Sequence, residues 1–502
     1  MIRTPFKIIS GLLFLLGLLV IPLMIEHYRG ASRLGQWRRA AQARGEKLTV
    51  AELAPPHPPG QRTVSPDDLP ALLFASDRTA KFSKAREALV THLRMSTVPP
   101  GRVPVAWQRG WEWKDVAEST NTWAESAAKV EAVRPLLQVI KSNLAERAWV
   151  IQTEYAQGFR CRIVQVFDFI NSAKVLAAAV AVDLHQHRLE DARENLLCLP
   201  RLAEVLSAQQ TAIEQIGRCA VGNISIPAAW QALQAPGWTE PQLAQLQSTW
   251  QSQRYLSNVI RALQMERAIG DEGGFGHARA SLTDSTQLVN ELSAAGQSTR
   301  WVMAWRYAWL DQDQWFYDRA LQEPIDFTSA VLSAKSCRTA WRQRLPASAT
   351  SAAQDLQAPP FTSGANISTR YDRTRYPLSR MLLLKTADLV NSVIALENCR
   401  EMLLAAVGLK RYELRHGRSA PSLAALVPEY LNAVPVDYMD GQPLRYRLQE
   451  DGTWKLYSIG WNGKDDGGDP APASPGQKYE RFTVGRDWVW PVPATPPDRD
   501  AR

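Results

Sequence analysis

Apolar side chains recur every third or fourth residue through most of the chain, the spacing of one face of an α-helix, and only near the C-terminus does the period shorten to two. Leu176, Val180 and Leu184 share a face at i, i+4 and i+8. Ala192, Leu196 and Leu199 take over after a short polar turn around His187 to Glu190. Ser172 to Val221 is therefore predicted as successive amphipathic helices, and residues 66–345 as an irregular or repeat-like helical domain. Tetratricopeptide arrays stack alanine-rich helix pairs of this kind, but no strict period of about 34 residues runs through the segment. Trp301, Trp305 and Trp309 stand at i, i+4 and i+8, a stripe expected to pack on neighbouring helices, with stacking on a sugar as the alternative use. Gly270 to Ala278, "GDEGGFGHA", reads as a loop.

A second periodic stretch predicts one long helix from Leu378 to His416, with Leu383, Ala387, Val390 and Ile394 on its apolar face and Gly417 in the C-cap position. Leu444, Tyr446 and Leu448 then alternate with arginines, and Asp451-Gly452 turns the chain into Trp454, Leu456 and Ser458. The expected fold class is mainly α in the N-terminal and middle parts, followed by an α+β module in which a long helix lies on a small antiparallel sheet.

Ile8 to Ile25 carries no charge, and its 18 residues would span roughly 27 Å as a helix. The expectation is an uncleaved, single-pass transmembrane helix touching membrane lipid, since no small-x-small cleavage pattern follows it. Arg3 and Lys7 precede the run and six basic residues follow it, so the positive-inside rule taken literally would leave the large domain in the cytoplasm, although long domains translocate largely regardless of charge. The chain divides into a tail (1–7), the membrane helix (8–25) and a basic helix with a proline-rich spacer (26–65). The helical domain (66–345), a linker (346–376), the α+β module (377–490) and a disordered tail (491–502) follow.

The 502 residues carry a net charge of +8, but the arginines are scattered and no nucleic-acid motif accompanies them, so nucleic acid is not an expected partner. Five dispersed cysteines form neither a zinc pattern nor a disulfide framework. His185 and His187 are two apart and would point to different helix faces. Ser126 to Lys129 matches the spacing of one class of serine enzymes without its partner motifs. No catalytic residues are assigned.

One loop does carry chemistry: "LYSIGWNGKDDGGD", Leu456 to Asp469, gathers an asparagine, three aspartates and four glycines. An EF-hand needs a glutamate it lacks, and in a P-loop Lys464 would precede Ser or Thr rather than Asp465. A hairpin turn shaped by Gly and Asp is the plain alternative to a cation site.

Leu409 to Asp469 resembles the C-terminal globular part of the major pseudopilins of type II secretion systems. Tyr412, Gly417, Leu423, Leu426, Val427 and Pro428 match its first motif. Asp437, Gly441, Pro443 and Tyr446 match the second, and Leu456 to Ser458, Gly460, Gly463 and Gly467 to Asp469 the third. The pseudopilin processing site, a glycine followed by a helix with glutamate at its fifth position, has no counterpart after Gly11. Anchor, helical middle and pilin-like end in this order also resemble membrane-anchored proteins of planctomycete and verrucomicrobial bacteria. The resemblance implies calcium in the acidic loop, with Asp465, Asp466 and Asp469 as side-chain ligands beside Asn462. It further implies a non-enzymatic binding or structural protein of the bacterial cell envelope, an accessory of a type II secretion or pilus-like apparatus with secretion-system proteins as partners. The expected placement is the inner membrane with the large domain periplasmic, and an envelope hydrolase acting on a glycan is the alternative.

Overall fold

The computed structural model describes residues 3–55, 62–74, 92–95, 105–108, 122–145, 149–280, 298–344, 361–362, 374–383, 386–471 and 486–490. The 346–376 linker, apart from residues 361–362 and 374–376, the Pro-rich spacer from residue 56 to 61 and the 491–502 tail lie outside them. The body is helical: α1 (Arg3–Ala43), α2 (Val50–Leu53), α3 (Leu69–Phe74), α4 (Trp123–Ala145), α5 (Val166–His185), α6 (Leu189–Val205), α7 (Ala212–Gln234), α8 (Glu240–Gln251) and α9 (Tyr255–Ile269). It continues through α10 (Gly276–Ala280), α11 (Thr299–Ala308), α12 (Leu310–Ala334), α13 (Cys337–Arg344), α14 (Pro377–Leu382) and the long α15 (Thr386–His416).

Helix α5 organises this body because "KVLAAAVAV" leaves it almost no polar side: Val175 to Val182 are all buried, as expected of a helix with neighbours all round. Helices α6 and α7 pack against it, and α15 crosses α7, α8 and α9. Thr211 and Glu214 form a capping box that starts α7 where the pattern resumes. Among the described residues one large buried core draws on side chains from Val64 to Trp490, and a smaller one gathers Val50, Tyr155, Met265, Ala268 and Ile269.

Two strand pairs interrupt the helical pattern. Strands β1 (Arg62–Val64) and β4 (Trp149–Ile151) pair in parallel, and β2 (His92–Met95) pairs antiparallel with β3 (Val105–Gln108). Near the C-terminus, β5 (Arg445–Leu448), β6 (Trp454–Ser458) and β7 (Trp488–Trp490) form an antiparallel sheet in the order β5-β6-β7, with Tyr446 opposite Leu456 and Tyr457 opposite Val489. Helix α15 packs on β6, so a long helix on a small sheet is present as expected, with a third strand added. The helix does not run unbroken from Leu378, however: Pro377–Leu382 is the separate α14, Leu383 is extended, and α15 starts at Thr386.

Two further expectations change. Gly270 to Phe275 is a π-helix continuing α9 rather than a loop. Gly273 within it approaches Gly158 so closely that a Cβ on either would lie about 3.2–3.3 Å from the other's Cα.

The membrane helix expected over Ile8 to Ile25 is also corrected. It is the first part of the unbroken 41-residue α1, and among the described residues no helix is long and apolar enough to cross a membrane. Where a membrane segment would end, the helix is already tied to the folded body. Gln312 Nε2 donates to the Glu26 carbonyl at 2.8 Å, and His27 Nδ1 lies 2.8 Å from the Tyr307 carbonyl. Gly30 permits this docking, since a Cβ there would stand 2.8 Å from Gln312 Cγ. The single-pass anchor, its lipid contact and the inner-membrane placement built on it are accordingly set aside.

Candidate functional site

The residues of the second and third pilin-like motifs converge on one carboxylate. Asp437 is fully buried; its Oδ1 accepts the Ser458 hydroxyl at 2.8 Å and the Met439 N–H at 3.0 Å. Its Oδ2 accepts the Ile459 N–H at 3.0 Å and Arg445 Nη1 at 2.8 Å. Burial pushes this carboxyl up to about 6, against the opposing pull of the two N–H groups and Arg445. The turn is closed by the Gly441 N–H on the Asp437 carbonyl at 2.7 Å, and Asp440 takes the second arm of Arg445 at 2.5 Å. Asp437 thus binds the turn after Val436 to the end of β6, which makes it a structural centre.

The acidic loop begins where β6 ends. Gly460, at φ +60°, turns the chain with no room for a side chain, since a Cβ would stand 2.8 Å from the Arg486 carbonyl. Asn462 Nδ2 donates to Asp466 Oδ2 at 2.6 Å. Asp465 Oδ1 accepts the Tyr457 hydroxyl and the Gly467 N–H, both at 3.0 Å. Asp469 Oδ1 accepts the Ala471 N–H at 2.9 Å, and its Oδ2 faces Arg486 Nη1 at 3.2 Å. Burial alone would raise the Asp465 carboxyl, but the Gly467 N–H, the Tyr457 hydroxyl, Arg445 and Arg447 outweigh it and hold the carboxyl below its ordinary range.

Of the four residues assigned to calcium, the structure therefore brings Asn462 and Asp466 together and turns Asp465 and Asp469 to other partners. Among the described residues no three His, Cys, Asp or Glu side chains form a group that could hold a metal ion. A hard cation wants six to eight converging oxygens, and in this arrangement the loop does not fit one. Sequence reading missed Asp487, buried beside the loop, whose Oδ2 accepts the Gly468 N–H at 2.6 Å and the Asp469 N–H at 3.2 Å. It lies beyond the stretch that carried the resemblance.

Other candidates resolve as structure. Trp305 is buried and its Nε1 donates to the Arg375 carbonyl at 3.1 Å, while Trp301 and Trp309 pack against the same core. Trp305 is thereby closed to a sugar, while Trp301 and Trp309 keep only partial exposure. Ser126 is buried in α4, His185 stacks on Trp123, and the five cysteines are free thiols, four of them buried.

The body also contains a cavity of about 810 Å³ between α1, α12 and α13. Trp37, Trp315, Phe316, Phe327 and Tyr376 supply its aromatic walls. Arg344 pairs with Glu323 and lies over the rings of Phe327, Trp341 and Phe361 at 5.6, 4.9 and 5.0 Å. Arg44 pairs with Glu46 at 2.7 Å, and Asp326 Oδ1 accepts Gln322 Nε2 at 2.8 Å. Burial and the nearby Glu46 push the Asp326 carboxyl up. Its sequence signal was the face of α12 on which Trp315, Arg319, Gln322 and Asp326 recur at helical spacing.

No family profile, curated protein or solved structure matches this chain. Its function has to be argued from these two regions.

Proposed function

We propose that the chain works by binding rather than by catalysis, as an accessory of a type II secretion or pilus-like apparatus, with the α15-and-sheet module as the part that meets the apparatus. The observation supporting this reading is the convergence on Asp437. Residues matching separate pilin-like motifs, Asp437 and Gly441 from one and Ser458 from another, meet in one hydrogen-bonded turn beneath a long helix on an antiparallel sheet. The module does not hang free of the helical body. Gln247 Nε2 of α8 donates to the Tyr430 carbonyl at 2.5 Å, and Arg411 of α15 pairs with Glu240. Force or displacement applied to the module would therefore pass into the helices.

Crosslinked affinity purification of the full chain from the native cell, with co-purifying proteins identified by mass, tests the proposal. Recovery of a secretin, pilin subunits or an assembly ATPase is the expected result. Recovery of none of these at good yield overturns it.

A further inference from the structure

We infer that the cavity between α1, α12 and α13 is a binding site for a small amphipathic anion: a flat aromatic or apolar body bearing one carboxylate, sulfonate or phosphate. Its volume, about 810 Å³, falls within the range of small-molecule sites, and aromatic walls with a few charged groups are the usual lining of such sites.

The charge of the ligand follows from which groups are already paired. Arg344 is held by Glu323 and Arg44 by Glu46. Asp326 is hydrogen-bonded to Gln322. Arg319 is different: it lines the cavity and its guanidinium lies 4.9 Å from the centre of the Trp315 ring. Arg33, from α1, lies 5.3 Å from the same ring. Among the described residues no carboxylate pairs with either. An anion beside Arg319 would answer the positive charge of these two unpaired guanidiniums and accept planar, bidentate hydrogen bonds. Trp315 then serves both as the surface that positions the two cations and as a stacking face for the ligand body. A neutral sugar would satisfy the rings but leave the excess positive charge unanswered.

The site also spans two separate parts of the chain, because Trp37 of α1 and Arg44 just after it come from the N-terminal part and the other lining residues from α12 onward. A ligand there would hold the N-terminal helix to the body, so binding must raise the melting temperature.

Isothermal titration of the purified full chain with 2-naphthoate and, as the neutral isostere, 2-naphthalenemethanol tests the inference. The expected result is saturable one-site binding of naphthoate, at least tenfold tighter than the alcohol and accompanied by a rise in melting temperature. Arg319→Gln and Arg33→Gln, both at exposed positions, should each weaken naphthoate severalfold and leave the alcohol unchanged. Ala330→Trp, which fills the cavity, should abolish both without loss of helicity. Absence of saturable binding, equal affinity for acid and alcohol, preference for a neutral oligosaccharide such as chitotriose, or naphthoate binding that survives Ala330→Trp would each overturn it. None of these outcomes depends on whether the chain meets a secretion apparatus.

Discussion

Asp313 caps a helix that begins more than sixty residues later: its Oδ1 accepts the Ser379 N–H at 3.0 Å and the Ser379 hydroxyl at 2.5 Å, while Oδ2 accepts the Leu378 N–H at 3.0 Å. Tyr376, at the N-cap of α14, offers no side-chain cap of its own, so the orphan N–H groups of that helix are satisfied from α12.

The cap sets a pH dependence. Burial pushes the Asp313 carboxyl up to about 7, although the Ser379 hydroxyl and the two N–H groups favour the charged form. An unfolded aspartate titrates near about 3.9. Between these values the native chain holds a proton that the unfolded chain has released, so stabilisation is complete below about pH 3.9 and is lost as pH rises towards 7. The linked change is on the order of 4 kcal/mol, and Asp437, pushed up to about 6, contributes with the same sign. The melting temperature is expected to fall from pH 5 to pH 8. Asp313→Asn, a mimic of the neutral acid, should flatten part of that slope. A slope rising with pH, or one unchanged in the variant, would contradict this account.

Removing Asp437 should be far more costly than removing a loop aspartate. Asp437→Ala strands the Ser458 hydroxyl and two buried N–H groups and takes one of two acidic partners from Arg445, which keeps Asp440. A loss of about 3 kcal/mol is expected. Asp466→Ala breaks only an exposed bond to Asn462 and should cost within about 0.5 kcal/mol. Urea unfolding of the two variants compares them directly, and equal costs would remove Asp437 from its central position.

Calcium tests whether the acidic loop can rearrange. As folded, it would have to break the Asn462–Asp466 and Asp469–Arg486 contacts to chelate a cation. Millimolar calcium is therefore expected to leave the melting temperature unchanged. A rise that disappears in Asp466→Ala and Asp469→Ala would show that the loop opens to bind the ion.

What the sequence revealed follows from how local each signal is. The later run of α15, its end at Gly417 and the turn at Asp451-Gly452 rest on spacing within a few residues, and the structure has them: α15 ends at His416, Gly417 sits at φ +65° and β6 begins at Trp454, although the helix starts at Thr386 and not at Leu378. Strand β7 gave no such signal, because Trp488 to Trp490 is only three residues long and buried on every side. The parallel β1–β4 pair joins positions 87 residues apart, Arg62 opposite Trp149, and was equally silent. The apolar run before Ile25 misled because hydropathy over eighteen residues does not register that the same helix continues into Gly30 and the contacts with Gln312. The cavity was missed for a related reason: its walls come from α1, α12, α13 and Tyr376, and no single stretch contains them.

Two glycines in helices separate propensity from packing. Alanine is favoured over glycine inside a helix by about 1 kcal/mol, so a glycine kept there needs a neighbour that explains it. A Cβ on Gly217 of α7 would lie 2.7 Å from Val166 Cβ at the start of α5. Val166 is β-branched and nearly buried, and cannot rotate away, so α5 and α7 would have to separate. Gly35 of α1 has only the flexible end of Arg39 near its would-be Cβ, at 3.6 Å. Gly217→Ala should therefore destabilise by about 1–2 kcal/mol despite its helix propensity, while Gly35→Ala should stabilise by up to about 1 kcal/mol. Urea unfolding midpoints moving in opposite directions would bear this out. A gain at both positions would mean that α5 and α7 pack less tightly at Val166 than the structure shows.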